Sequence, residues 1–90
     1  MDVKIVGMVD GQILYIDGKK YYEDGNYTIS VTPNRKFGII CVDSSSPPTE
    51  SYTMEIDGTA DFVVDASEVI LGPVYYFTPK SSGRIQITMM

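Results

Sequence analysis

Asp10-Gly11-Gln12-Ile13-Leu14-Tyr15-Ile16-Asp17-Gly18-Lys19-Lys20-Tyr21-Tyr22-Glu23-Asp24-Gly25 is the stretch that decides the fold. It carries three Asp-Gly pairs at a seven-residue interval, and a fourth stands apart at Asp57-Gly58. Asp-Gly between apolar runs signals a two-residue type I′ turn, which needs positive φ at both central residues. The reading is a tight meander of short strands with hairpins at the Asp-Gly turns. The interval ends after three pairs and the flanking residues differ, so it is not a solenoid repeat.

Outward from this stretch, period-2 alternation dominates and helical periodicity is nearly absent. Strands are expected over 3–9, 12–16, 19–23, 27–32 and 37–43 in the first half. In 27–32, Tyr27, Ile29 and Val31 alternate with Thr28, Ser30 and Thr32, and Pro33-Asn34 breaks the ladder. The near-continuous apolar run of 37–43 predicts a central strand covered on both faces. After the exposed Ser/Pro loop of 44–51, strands follow over 52–56, 60–64, 74–78 and 84–89, with a short one over 66–71. With 66–71 ambiguous between a helical turn and a strand, and 19–23 the weaker of the rest, eight or nine short strands in 90 residues imply one all-β domain over 1–90, a small antiparallel β-sandwich or a short barrel.

Glu23-Asp24-Gly25-Asn26-Tyr27-Thr28-Ile29-Ser30-Val31 resembles the tyrosine-corner strand of immunoglobulin-like sandwiches. Ile29 stands where that strand carries cysteine, and the segment comes early for that topology. The resemblance implies an Ig-like sandwich, with a jelly roll as the other arrangement of the same layers. No function follows from it.

Composition excludes more than it assigns. The net charge is −5, and the seven basic residues are scattered without a stripe that could neutralise a run of phosphates. Neither nucleic acid nor an anionic membrane is an expected partner. The single cysteine, Cys41, reads as a small buried hydrophobe. Absent histidine removes the commonest general base, the usual nucleophile pairs and most catalytic zinc sites. There is no basic leader and no long apolar run, so a soluble protein made in a cytosol, free or taken into a virion, is expected.

Two groups of carboxylates invite a chemical reading. Ile39-Ile40-Cys41-Val42-Asp43-Ser44-Ser45 resembles the active-site loop of aspartic proteases, and Val69-Ile70-Leu71-Gly72 their later apolar-apolar-Gly element. The resemblance implies a homodimeric hydrolase built on Asp43, although Ser45 stands where the loop has glycine. Asp57, Asp61, Asp65 and Glu68 lie close in sequence, but on a strand Asp57, Asp61 and Asp65 would share one face over ~26 Å, too spread for one cation. The expectation is therefore no enzyme, no catalytic residue, no metal and no cofactor. The sequon Asn26-Tyr27-Thr28 reads as part of a turn.

The remaining signal is contact. Tyr21-Tyr22 and Tyr75-Tyr76 are adjacent pairs, and strand neighbours point to opposite faces, so one of each pair faces away from the core. The terminal strand runs to Met89-Met90 without a polar tail, which suggests an open edge for pairing. Tyr21, Tyr22, Tyr75, Tyr76, Met89 and Met90 are the candidate interface. The expected function is a non-enzymatic structural or interaction module, a self-associating accessory subunit of an assembly such as a virus particle. A small carbohydrate- or ligand-binding module using Tyr15, Tyr22 or Tyr76 is the alternative.

Overall fold

A computed structural model describes residues 1–69 and 71–90. Ile70, part of the expected 66–71 strand and of the apolar-apolar-Gly element, lies outside the described residues. Among those described there are ten strands and no helix: β1 (Asp2–Val6), β2 (Gln12–Ile16), β3 (Lys19–Tyr21), β4 (Gly25–Thr28), β5 (Phe37–Asp43), β6 (Ser51–Tyr52), β7 (Met54–Gly58), β8 (Phe62–Val69), β9 (Gly72–Pro79) and β10 (Arg84–Met89). They form two sheets packed against one another. One has the order β4-β1-β10-β7; the other runs β3-β2-β5-β9-β8, with β6 also on β5.

Alternation assigns each strand's faces. In β2, Gln12, Leu14 and Ile16 turn inward; in β5, Phe37, Ile39 and Cys41; in β10, Ile85, Ile87 and Met89. All of these except the polar Gln12 join Val3, Ile5, Met54 and Phe77 in one core cluster drawn from both sheets. Phe77 has no exposed surface and stacks obliquely between Phe62 and Phe37, with ring centroids 4.9 and 5.4 Å away. Burying a side chain of that size contributes roughly 1.5–3 kcal/mol.

The Asp-Gly pairs do not build a meander. Only Asp17-Gly18 closes a two-residue hairpin, joining β2 to β3 with φ of 51° and 81°. The other three pairs lie where the chain passes from one sheet to the other. The reason is visible at Asp24, whose carboxylate accepts from the Gly7 and Met8 amides at 3.0 and 2.8 Å. It ties the end of β1 to the start of β4 and leaves no tight turn between β3 and β4. At Gly58 the requirement is space, since a Cβ there would overlap the Arg84 carbonyl oxygen.

Other expectations are also revised. The 27–32 strand ends at Thr28; beyond it, Ile29 exchanges backbone hydrogen bonds with Met1, both at 2.9 Å. The expected 60–64 and 66–71 strands merge into β8, which pairs with β9 from Phe62↔Pro79 to Val69↔Gly72. The terminal strand has no open edge. β10 lies between β1, to which it runs parallel, and β7, to which it runs antiparallel. A parallel pair needs a long connection, and nearly the whole chain supplies it.

The tyrosine-corner likeness persists locally. The Tyr27 hydroxyl donates to the Glu23 carbonyl oxygen, four residues upstream, at 2.8 Å. The surrounding strand order departs from the ABED/CFG arrangement of immunoglobulin domains.

Candidate functional site

The two sheets turn very different surfaces outward. On the four-stranded sheet, the outward positions of β1 and β10 are Asp2, Lys4, Arg84 and Gln86, aligned as Asp2↔Arg84 and Lys4↔Gln86. Asn26 and Thr28 of β4 and Glu55 and Asp57 of β7 continue the pattern. This face is mostly polar; the apolar exception on β1 is Val6, half-buried opposite Thr88. On the six-stranded sheet, the outward positions include Ile13, Tyr15, Ile40, Val74 and Tyr76, all half-buried, and Val63, which is 44 % exposed. The registers Tyr15↔Ile40 and Gly38↔Tyr76 place them side by side across β2, β5 and β9.

The tyrosines on that face are capped by lysines. Lys20 Nζ lies 5.8 Å from the Tyr15 ring centroid, and Lys36 Nζ 5.2 Å from that of Tyr76. Such cation–π contacts contribute about 0.5–1 kcal/mol at exposed sites.

Alternation within the tyrosine pairs resolves as one in, one out. Tyr21 is buried, edge-on to Tyr27 at 4.8 Å, and burial pushes its hydroxyl pKa up. That hydroxyl has no hydrogen-bond partner among the described residues. Tyr22 is 61 % exposed. Tyr75 packs on the core, and its hydroxyl accepts from the Met54 amide at 3.0 Å. Tyr76 faces outward on β9. Met89 is a core residue of the four-stranded sheet, whereas Met90 is 75 % exposed. Of the six candidate interface residues, Tyr21 and Met89 are buried and Tyr75 is half-buried toward the core, while Tyr22, Tyr76 and Met90 point away from it on separate parts of the fold. The residues that accompany Tyr76 are Tyr15 and Ile40. The signal for Ile40 lay in the unbroken apolar run of β5, which has more apolar positions than one buried face requires.

Asp43 is engaged within its own loop. Its carboxylate accepts from the Thr49 amide at 2.8 Å, from the Thr49 hydroxyl, and from the Glu50 amide at 3.5 Å. The Thr49 hydrogen bonds hold its pKa below the ordinary carboxylate value. These contacts brace the 44–50 loop against the end of β5. Of the four clustered acids, Asp57 lies in the four-stranded sheet, whereas Asp65 and Glu68 lie on β8, opposite Tyr76 and Pro73. Among the described residues no three His, Cys, Asp or Glu side chains converge as metal ligands. Cys41 is fully buried, and desolvation raises its thiol pKa to about 11.

A hollow of about 670 Å³ lies on the polar face, lined by Asp2, Lys4, Asn26, Arg84 and Gln86 among others. It contains none of the tyrosines proposed for carbohydrate stacking, which sit on the opposite sheet. The one aromatic residue lining the hollow is Tyr27, which is half-buried. No helix among the described residues is long and apolar enough to cross a membrane. Comparison with protein-family models, curated proteins and solved structures finds no match.

Proposed function

We propose that this protein is a non-enzymatic interaction module whose working surface is the outward face of the six-stranded sheet. The observation that carries the reading is the contrast between the two outward faces. One is dominated by charged, amide and hydroxyl side chains, with Val6 at its margin; the other presents Ile13, Tyr15, Ile40 and Tyr76 in adjoining registers. Aromatic residues are enriched and charges depleted at the centres of protein interfaces. A small accessory subunit of a larger assembly, such as a virus particle, is the setting in which such a face becomes covered. The separate ladders of the two sheets support a β-sandwich over a closed barrel.

Photocrosslinking tests this reading. A benzophenone amino acid is placed at Tyr76 or, as control, at Gln86, in cells that make the protein. Protein adducts at position 76 and not at 86 are expected. Adducts at neither position, or equally at both, would refute the assignment of the surface.

A further inference from the structure

We infer that the occupant of this face is a second copy of the chain, stacked sheet on sheet about a two-fold axis parallel to β5. The inference rests on the proposed interaction surface and adds its partner and geometry. The argument begins with charge. The sheet order β3-β2-β5-β9-β8 puts Lys20 on one edge strand, facing outward beside Tyr15. It puts Asp65 on the other, facing outward beside Tyr76. The apolar centre is therefore flanked by a basic edge and an acidic edge.

Face-to-face packing of identical sheets allows two simple in-plane axes. An axis across the strands would lay β3 on β3 and β8 on β8, setting Lys20 against Lys20 and Asp65 against Asp65. An axis along β5 lays β3 of each copy over β8 of the other, so that each Lys20 approaches an Asp65 twice over. Their registers differ by one residue pair along the strands, about 7 Å, a span that the long lysine side chain can bridge. Lys36 immediately precedes β5, near the axis, but its ammonium lies over Tyr76 on β9. That carries its charge away from its symmetry mate. The strands of the two copies stay close to aligned, as sheet-on-sheet packing prefers.

The continuous apolar run of β5 supplies a second argument. Its inner residues Phe37, Ile39 and Cys41 are covered by the four-stranded sheet, while Ile40 on the outer side stays half-buried. A second copy supplies the missing layer. Five strands at ~4.8 Å spacing and about 20 Å of length offer about 400 Å² per copy. Twice that is below the range of stable interfaces, so a weak dimer with a Kd in the micromolar range is expected.

Sedimentation equilibrium of the full chain from about 5 µM to 1 mM gives the test, with circular dichroism as the check on folding. Concentration-dependent dimerisation is expected, abolished by Tyr76→Ser. Lys20→Glu alone and Asp65→Lys alone should each weaken it by roughly five- to tenfold, since each breaks two symmetric pairs. The double variant Lys20→Glu/Asp65→Lys should restore it. A monomer at 1 mM overturns the self-docking inference. So does a dimer in which the single charge reversals have no effect, or one that the double variant fails to restore. If the chain is monomeric yet crosslinks at position 76 to a different protein, the interaction surface stands and only the second copy falls. If position 76 gives no adducts, both fall.

Discussion

The outward faces of the two sheets share one core and one chain, yet they differ as sharply as the inside and outside of many proteins. On the four-stranded sheet the two central strands alternate, with Val3, Ile5, Ile85 and Ile87 inward and Asp2, Lys4, Arg84 and Gln86 outward, and Val6 is the apolar outward residue at the end of β1. On the six-stranded sheet the alternation is between two kinds of apolar residue, and only the edge strands carry outward charge. A solvated antiparallel sheet ordinarily reads apolar-in and polar-out. The lesson is that β2, β5 and β9 are built as interior strands, although the chain itself covers only one of their sides.

The comparison can be broken at its common base. Phe77→Ala removes the ring against which Phe37 and Phe62 pack, and should cost about 3–5 kcal/mol. Urea denaturation should show that loss in a single transition reporting both sheets. Two separate transitions would mean that the sheets do not share a core.

The comparison sharpens at Ile40. Ile40→Glu should change folding stability by no more than about 1 kcal/mol, because the side chain is only half-buried in the single chain. It should nonetheless eliminate association, whereas Gln86→Glu on the polar face leaves it unchanged. A loss of stability as large as that of Phe77→Ala would show that the outer face is already covered within one chain.

Tyr21→Phe probes the core beneath β3. Its buried hydroxyl lacks a partner, so deleting the oxygen should stabilise the fold by about 1 kcal/mol. A destabilisation, read by thermal or urea denaturation, would mean that the hydroxyl is satisfied in solution.

The smallest effect is electrostatic and depends on pH. Asp43 is held below its ordinary value of 3.8 by Thr49, and Asp17 by the guanidinium of Arg35 at 2.9 Å. A carboxylate with a depressed pKa contributes stability above its unfolded value, lost as pH falls through the folded one. Stability should therefore decline below about pH 4, and Asp43→Asn should flatten part of that slope. An unchanged acid limb would remove the loop-bracing role of Asp43.

Much of the local structure was legible in the sequence. Alternation located most of the strands, and adjacency of Tyr21-Tyr22 and Tyr75-Tyr76 required one ring of each pair to leave the core. It could not say which, because the phase of a strand is set by the layer it packs on. Four identical Asp-Gly pairs announced four changes of direction. Only Asp17-Gly18 became a hairpin, since a dipeptide specifies that the chain turns and not which sheet receives it. The candidate site was half legible for the same reason. Tyr15 and Tyr76 both stand out in the sequence, but Ile40 does not, and the three adjoin only because strands far apart in sequence pair.

The sequence by itself determined an all-β chain with short alternating strands, an acidic surface and no histidine chemistry. These follow from composition and from interactions between near neighbours. Tertiary structure alone decided that β1 and β10 pair in parallel, that the chain shuttles between two sheets, and that one sheet keeps its apolar outer face. Those outcomes depend on contacts between residues up to about 80 positions apart. Their energy comes from shared burial, which no local pattern encodes.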